Sequence, residues 1–298
     1  MSILIAFAVP MFVGCILLEY WLARDRDDVR GFELRDTAAS LTMGIVNVGI
    51  ATVTKGGAYV VYFGLYQLRL FDIPNVWWAW ALLIPCEDCC YYWFHRVSHE
   101  VRLFWAAHEN HHSSRHYNFS TALRQSWTTP LTGPIFWLPL ALLGFEPLMV
   151  LTAQSISLVY QFFLHTELVD RLGPFEAVMN TPSHHRVHHG RNVRYLDRNY
   201  AGIFIVWDKM FGSFEPEGQP VDYGLTTNIR TFNPVRIAFH EWATMLRQAR
   251  AAASVRDALG YLFGPPGWSP DGTTRTAKEM QSADAPVHDV KTAAAAVA

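Results

Sequence analysis

Charged residues are scarce in this sequence of 298 residues. Asp, Glu, Lys and Arg together make up 17% of it, whereas about a quarter is usual for a soluble protein. The formal net charge is -2 at pH 7. Because a nucleic-acid-binding surface needs a strong positive field, this charge balance argues against a nucleic-acid partner.

Cysteines are also few, and three of the four lie close together. They are Cys15, Cys86, Cys89 and Cys90. The spacing of Cys86 and Cys89 resembles half of a zinc site, but no second cysteine pair exists to complete it. We therefore expect no disulfide framework, and we interpret these cysteines as small hydrophobic side chains.

Hydrophobic residues, in contrast, make up 51% of the chain. Stretches near the length of about twenty residues needed to cross a bilayer recur in the first half. They are 3–23, 38–53 with 56–68, 76–94 and 130–164. The first stretch lacks a basic leader and a small-residue cleavage site, which favours a membrane anchor over a removed signal peptide. The sequence thus predicts an integral membrane protein.

For two of these stretches, the sequence allows more than one arrangement of helices. Lys55 interrupts the second stretch, which predicts either one bent helix or two short ones. The stretch 130–164 is long enough for a helical hairpin, with a break expected near Gly144–Pro147.

Histidines are concentrated in one part of the chain, with eleven of the thirteen between residues 95 and 189. Three motifs hold most of them: "HRVSH", "HENHH" and "HRVHH". Their members are His95, His99, His108, His111, His112, His185, His188 and His189. Residues three or four apart share one face of a helix, while adjacent residues point about 100° apart. One H-x-x-H-H motif can therefore serve two neighbouring ions, and the three motifs together predict a two-metal cage.

The type of metal follows from the ligands only in part. Neutral imidazole suits iron, zinc and copper. Eight or nine histidines exceed the four ligands of a structural zinc ion and suit two ions of higher coordination number. Both histidine-rich segments lie just outside apolar stretches among basic residues, which predicts a cytoplasmic position.

The remaining histidines carry weaker signals. His165, in "FLHTE" at the end of an apolar stretch, is a candidate ligand because of its place at the same membrane edge. Ordinary structural roles are expected for His116, His184, His240 and His288.

Asp88 is the candidate for orienting a ligand ring. It lies seven residues before His95 and eleven before His99, on the same helix face. Because a buried acid within a membrane span is costly unless paired, we expect Asp88 to accept an N–H from a ligand histidine. A pairing with Arg96 is the alternative.

Two other functional interpretations remain open. "HENHH" also fits H-E-x-x-H, the motif of zinc peptidases, with His108 and His112 as ligands and Glu109 as general base. Such an enzyme would need one more ligand and would leave the other motifs unused. A non-enzymatic metal or haem carrier is the second alternative.

The order H-x-x-x-H, H-x-x-H-H, H-x-x-H-H among membrane spans resembles the fatty acid hydroxylase/sterol desaturase superfamily of membrane di-iron oxygenases. The resemblance covers roughly residues 80–215, including "DCCYYWFHRVSHE", "FLHTE" and "NYAGIFIVWDKMFGSFEPE". The runs "STALRQS" and "NTPSHHRVHHGRN" look most like members that cleave ether lipids with a pterin. Bacterial members of this type are also called C-5 sterol desaturases, and that activity is the alternative.

The resemblance implies a di-iron site that uses O₂ to hydroxylate or desaturate a lipid C–H bond. It places the eight motif histidines as ligands, adds His165 as a ninth, and leaves His184 undecided. The implied cofactors are two Fe ions, with tetrahydrobiopterin or an external electron-donor protein as the source of electrons. The implied partners are the membrane and a lipid substrate.

The expected fold is all-α: a multi-span transmembrane helical bundle with a cytoplasmic histidine-rich helical cap that holds a dinuclear metal site. Four parts are predicted: N-terminal spans over 1–75, a catalytic domain of the fatty acid hydroxylase type over 76–215, surface helices over 216–264, and a disordered tail over 265–298. Segment 233–263 predicts an amphipathic helix, either on the membrane surface or packed against the protein's own cap.

Overall fold

The structure, a computed structural model, describes residues 3–284. Over that range the chain forms α-helices and three short 3₁₀ helices, with two isolated β-bridges and no strand. The α-helices are α1 (Ile3–Ala23), α2 (Leu34–Tyr66), α3 (Trp77–Glu100), α4 (Arg102–Trp105), α5 (Glu109–His112), α6 (Phe119–Ala122), α7 (Thr129–Thr132), α8 (Leu138–Leu143), α9 (Pro147–Phe162), α10 (Pro182–His188), α11 (Val206–Phe211), α12 (Pro234–Ala251), α13 (Val255–Phe263) and α14 (Ala277–Asp284). The prediction of an all-helical fold is confirmed.

The second apolar stretch forms one continuous helix. α2 has 33 residues and is therefore about 50 Å long. Its first turn is capped by the Glu33 side chain, which accepts a hydrogen bond from the backbone N–H of Asp36. Among the described residues, α2 is the one helix both long and apolar enough to cross a membrane. Shorter apolar helical stretches lie at Phe7–Ala23, within α1, and at Thr129–Leu143.

The predicted break near Gly144–Pro147 is confirmed. α8 ends at Gly144, whose φ of 117° lies in the left-handed region. A Cβ there would lie 2.0 Å from the carbonyl oxygen of Phe71, so only glycine fits this turn. α9 then begins at Pro147, with the Glu146 side chain capping its first turn. Before the break, the chain forms short helical pieces rather than one helix, because prolines interrupt it.

Two apolar clusters join the long helices. The larger fills the space between α2, α3, α8 and α9 with buried side chains such as Tyr62, Leu83 and Val150. The smaller joins α1 to α9, where the Phe12 and Phe162 rings stack with centroids 4.0 Å apart. Large apolar side chains also face outward from α1, α2 and α3, which is unusual for a protein surrounded by water on all sides.

Asp88 does not orient a ligand histidine, so that prediction is wrong. The buried Asp88 carboxylate accepts hydrogen bonds from the backbone N–H of Ile203 at 2.6 Å and of Phe204 at 2.8 Å. It also accepts one from the Trp207 indole N–H at 3.0 Å. The segment before α11 crosses α3 at this point, and its free N–H groups satisfy the carboxylate. Asp88 therefore anchors this segment to α3.

The alternative pairing of Asp88 with Arg96 is also absent from the described structure. The Arg96 guanidinium donates instead to Glu100 at 2.9 Å and to the Tyr92 hydroxyl at 3.0 Å. Both partners lie one helical turn from Arg96 and are within its reach along α3.

The C-terminal helices pack against the rest of the protein. α12 lays Ile237 and Ala238 on Ala39 and Met43 of α2, where all four side chains are buried. α12 also contacts α4 and α5 of the histidine-rich cap. Packing against the protein's own cap, one of the two placements expected for segment 233–263, is therefore observed.

Part of the segment expected to be disordered has defined structure. Residues 265–284 fold back on the cap and end in α14. The Trp268 ring fills the space left by Gly260, where a Cβ would come within 2.2 Å of it. The side-chain amide of Gln281 donates to the carbonyl of Leu196 at 2.7 Å. Residues 285–298, including His288, lie outside the described residues.

Replacing Asp88 by alanine should destabilise the protein by about 3 kcal/mol, because three donors would lose their buried acceptor. The midpoint of thermal unfolding in detergent measures the change. Asp72→Ala is the matched control, since its carboxylate is 85% exposed and pairs only with Arg69; we expect it to cost less than about 0.5 kcal/mol. Equal midpoints for the two variants would contradict the anchoring role of Asp88.

Candidate metal centre

Nine histidines from four separate parts of the chain meet inside the described structure. They come from the end of α3, from the segment around α5, from the turn after α9 and from α10. They are His95, His99, His108, His111, His112, His165, His185, His188 and His189. None of them is more than 9% exposed. The structure therefore brings together all nine positions that the sequence and the resemblance suggested.

These side chains divide into two neighbouring groups. The ligand-type nitrogens within each group lie within 4.8 Å of one another. One group has five members, His95, His99, His108, His112 and His188, and the other has four, His111, His165, His185 and His189. The two groups adjoin where the rings of His112 and His189 stack, with their centroids 4.3 Å apart. Adjacent members of one motif, such as His111 and His112, face different groups, as the helical spacing predicts.

The distances between ring nitrogens fit a shared cation. The Nε2 atom of His108 lies 3.0 Å from that of His95 and 3.1 Å from that of His112. In the other group, the Nε2 atom of His165 lies 3.3 Å from that of His111 and 3.2 Å from that of His185. Ligand nitrogens about 2.1 Å from one ion lie about 3.0 Å apart in octahedral geometry and about 3.4 Å apart in tetrahedral geometry.

Several of these nitrogens also lack any hydrogen-bond partner. In the part of the chain that the structure describes, the buried Nε2 atoms of His99, His188 and His189 are unpaired. An unpaired buried polar atom costs free energy. A cation bound to these lone pairs removes that cost, so the residues present fit two metal ions.

Backbone carbonyls orient the rings. The Nδ1–H of His95 donates to the carbonyl of Tyr200 at 2.7 Å, and that of His188 donates to the carbonyl of Arg198 at 2.9 Å. In the other group, the Nδ1–H of His165 donates to the carbonyl of Gln161 at 2.9 Å. Donation through Nδ1 leaves the Nε2 lone pair free to bind a metal.

The carbonyls of Arg198 and Tyr200 are held in place by an unusual backbone. Asp197 and Asn199 flank Arg198, and each has a φ of 55°, a conformation that is uncommon for residues other than glycine. The Asn199 side-chain amide donates to the carbonyl of Glu215 at 2.8 Å. The sequence carries no signal for these orienting groups, because a backbone carbonyl places no requirement on the type of residue that bears it.

The other histidines among residues 3–284 lie outside the two groups. The His184 Nε2 is 4.0 Å from a Glu176 carboxylate oxygen, and its ring packs on Phe214. His116 lies with its Nδ1 3.3 Å from the Arg30 carbonyl oxygen. His184 therefore lies beside the two histidine groups but belongs to neither.

Burial sets the protonation of the ligand-type rings. It lowers the pKa of His111 to about 4 and that of His188 to about 3. Both rings are therefore neutral near pH 7, which is the form that binds a metal.

The sequence profile of the family described as "Fatty acid hydroxylase" matches residues 80–213, the part of the chain that carries all nine histidines. This part of the chain is a fatty acid hydroxylase domain. This confirms the resemblance inferred from the motifs.

Named relatives fall in the same group of enzymes. Human alkylglycerol monooxygenase is 40% identical over 270 residues, covering 88% of this chain and 59% of the relative. The zebrafish (Danio rerio) alkylglycerol monooxygenase is 41% identical over 265 residues, with the same two coverages. The ornithine lipid hydroxylase of Rhizobium tropici is 28% identical over 141 residues, covering 46% of this chain and 43% of the relative.

The chain spans 59% of the length of the two alkylglycerol monooxygenases. No solved structure matches the chain significantly.

Two cavities with different linings lie near the histidines. The apolar cavity, about 160 Å³, lies between α2, α3 and α9. Its wall includes Tyr91, whose ring centroid is 5.2 Å from that of His95. The polar cavity, about 320 Å³, is lined by rings of both groups, including His99 and His189, and by the C-terminal helices. The polar cavity thus opens onto the histidines themselves, whereas the apolar cavity is separated from His95 by the Tyr91 ring.

The peptidase interpretation of "HENHH" fits this geometry poorly. His108 and His112 belong to a five-histidine group, whereas a catalytic zinc has three protein ligands and an open position. Glu109 is buried, and its carboxylate lies 3.3 Å from His240 Nδ1 on α12. Burial raises the pKa of Glu109.

Replacing His188 by alanine should empty the five-histidine group, because His188 contributes one of its unpaired nitrogens. We expect the metal content per chain, measured by mass spectrometry after desalting against a weak chelator, to fall by about half. His184→Ala is the matched control, one turn earlier on α10, and should keep its full metal content. Equal metal in both variants would show that His188 is not a ligand.

Acidification should destabilise the metal-free protein between about pH 6.5 and pH 4. Unfolded histidines take up protons near pH 6.5, while the pKa of His111 in the folded protein is lowered to about 4. The unfolded state therefore binds more protons in this window, and stability falls as the pH falls. The midpoint of thermal unfolding of chelator-treated protein at several pH values measures the effect.

Burial also raises the pKa of Asp197 to about 7, which acts in the opposite direction. A matched titration of His111→Gln isolates the histidine contribution, because this variant should lose less stability on acidification than the original protein. A steeper loss in the variant would contradict the expectation.

Proposed function

We propose that this protein is a membrane-bound di-iron oxygenase that uses O₂ to hydroxylate a lipid C–H bond. The observation that carries the proposal is the division of nine buried histidines into two adjoining groups inside a fatty acid hydroxylase domain. The named relatives are a monooxygenase of alkylglycerols and a hydroxylase of ornithine lipids, which favours hydroxylation over desaturation.

The nine histidines are proposed as the ligands of two Fe ions, five on one ion and four on the other. Imidazole is a ligand suited to iron. When bound, the iron pair supplies the activation of O₂ and the removal of hydrogen from an unactivated C–H bond. The protein holds the rings neutral and correctly turned through the carbonyls of Gln161, Arg198 and Tyr200.

The apolar cavity is proposed as the site of the lipid chain. Its lining is mainly apolar and aromatic, including Phe94, Trp137 and Leu158. A hydrocarbon chain in this cavity gains free energy from burial and excludes water from the centre. Tyr91, which lies against His95, would position the chain next to the metals. With an ether lipid, hydroxylation beside the ether oxygen gives a hemiacetal, which collapses to an aldehyde and a free glycerol.

The polar cavity is proposed as the approach for the reductant, either tetrahydrobiopterin or an electron-donor protein. It adjoins rings of both histidine groups and contains the carboxylates of Glu109 and Asp197 and the indole of Trp105. Hydrogen-bond acceptors beside an aromatic ring suit a planar molecule that carries N–H groups. Electrons would thus enter from the side opposite the lipid chain.

The proposed architecture is a multi-span helical bundle with the histidine-rich cap on the cytoplasmic side. α1 and α3 accompany α2 and expose apolar side chains such as Phe7 and Trp77, which are 76% and 81% exposed. Surfaces of this kind suit contact with lipid tails. The proposed parts remain spans over 1–75, a catalytic domain over 76–215 and surface helices over 216–264.

Expression of the protein should change the lipids of its host in a way that depends on His188. Lipid mass spectrometry of cells with the original protein should show lipids that have gained one oxygen, or free glycerol lipids and aldehydes from ether cleavage. His188→Ala should abolish the change, because one metal position is lost, while His184→Ala should retain it.

Lipids that lose two hydrogens instead would identify a desaturase. Lipids unchanged by the original protein, under sufficient O₂ and reductant, would refute the proposed enzyme.

A further inference from the structure

A third cavity lies on the outer side of the cap and plays no part in the function proposed above. It has a volume of about 1130 Å³ and lies between the loop before α2, the segment after α5 and the segment before α12. Five of its lining residues are arginines: Arg30, Arg115, Arg124, Arg191 and Arg230. We call this cavity the arginine cleft.

Only part of this positive charge is neutralised. Arg124 forms a buried ion pair with Asp36 at 3.1 Å, so its charge is neutralised within the protein. Arg30 and Arg191 share one carboxylate, Asp222, at 2.8 Å and 2.5 Å. Five arginines against these two aspartates leave an excess of three positive charges.

Arg115 and Arg230 supply most of the excess. Both are exposed, and within residues 3–284 neither guanidinium makes an ion pair or a hydrogen bond. Guanidinium groups are well hydrated in water but bind phosphate more tightly, through two parallel N–H donors. Free guanidinium groups lining one concave surface therefore form a site for an anion that carries several acceptor oxygens.

Uncharged donors line the same space. They are the hydroxyl or amide groups of Thr226, Thr227, Asn228 and Thr231. Arginines with hydroxyl groups between them suit a phosphate ester, whose other oxygens accept hydrogen bonds from neutral donors. The chemistry of the cleft thus matches a phosphate-bearing molecule.

The cleft lies at the end of the candidate membrane span. α2 begins at Leu34, four residues after Arg30, and Leu34 is 81% exposed. Phe232 lines the cleft itself and is 46% exposed, and Val235 nearby is 55% exposed. Cationic residues next to exposed apolar side chains at a helix end are typical of contact with anionic headgroups. We propose that the arginine cleft binds the phosphate headgroup of an anionic membrane lipid.

The purified full chain in a non-ionic detergent provides the test. The probe is dihexanoyl phosphatidylglycerol below its micelle concentration, and its binding is followed by calorimetry and by the shift in thermal unfolding. We expect saturable binding that weakens at least tenfold in the double variant Arg115→Ala/Arg230→Ala. Arg115→Lys/Arg230→Lys, which keeps the charge, should retain most of the affinity.

Arg250→Ala is the matched control. Arg250 is also exposed, but it lies at the far end of α12, a helix of 18 residues that is about 27 Å long. Its replacement should leave binding unchanged. Equal binding by the original protein and the double alanine variant would overturn the proposal, and so would equal binding of dihexanoyl phosphatidylcholine.

Two further probes separate the sources of phosphate. sn-Glycerol 3-phosphate and inorganic phosphate carry the anion without the lipid chains, and we expect both to bind at least tenfold more weakly than the lipid. Equal affinity for inorganic phosphate would overturn a lipid as the ligand. Metal content of each variant checks its folding, and none of these measurements requires turnover, so their outcome is independent of the proposed oxygenase activity.

Discussion

The structure is organised around nine neutral imidazoles buried at one place. Burial lowers the pKa of rings such as His111 and His188, so these rings stay neutral near pH 7. Their Nε2 atoms face one another at distances near 3 Å, where protons alone cannot satisfy all of them. Cations bound among these nitrogens would resolve this conflict, because they take the place of the missing protons.

The location of the centre could be predicted because its ligands are side chains of a distinctive type. Histidines at helical spacings, such as His108 and His112, are predicted to lie on one face of a helix and therefore to contribute to one site. The same holds for the helix break at Gly144, where glycine and proline interrupt an apolar run. In both cases, the local sequence contains all the physical information that determines the outcome.

Other features depend on contacts that no local pattern records. Asp88 was expected to serve a histidine because both lie on α3, but a segment more than a hundred residues later supplies its donors. The backbone carbonyls of residues 198 and 200 orient the rings of His188 and His95. This role does not depend on which side chains those two residues carry. The way distant segments approach one another in the folded protein decides these interactions.

The histidines of the two groups are spread over almost a hundred residues of the chain, which affects the order in which the groups form during synthesis. The earliest ligand, His95, lies near the end of α3, and the latest, His189, lies just beyond α10. His95 and His188 are also oriented by carbonyls around residue 200, held in turn by Asp208 through the Tyr200 N–H. Since chains are synthesised from the N-terminus, neither half of the centre can form while the first helices emerge. The two histidine groups can therefore assemble only after the segment around residue 200 has been synthesised, which makes them a late product of folding.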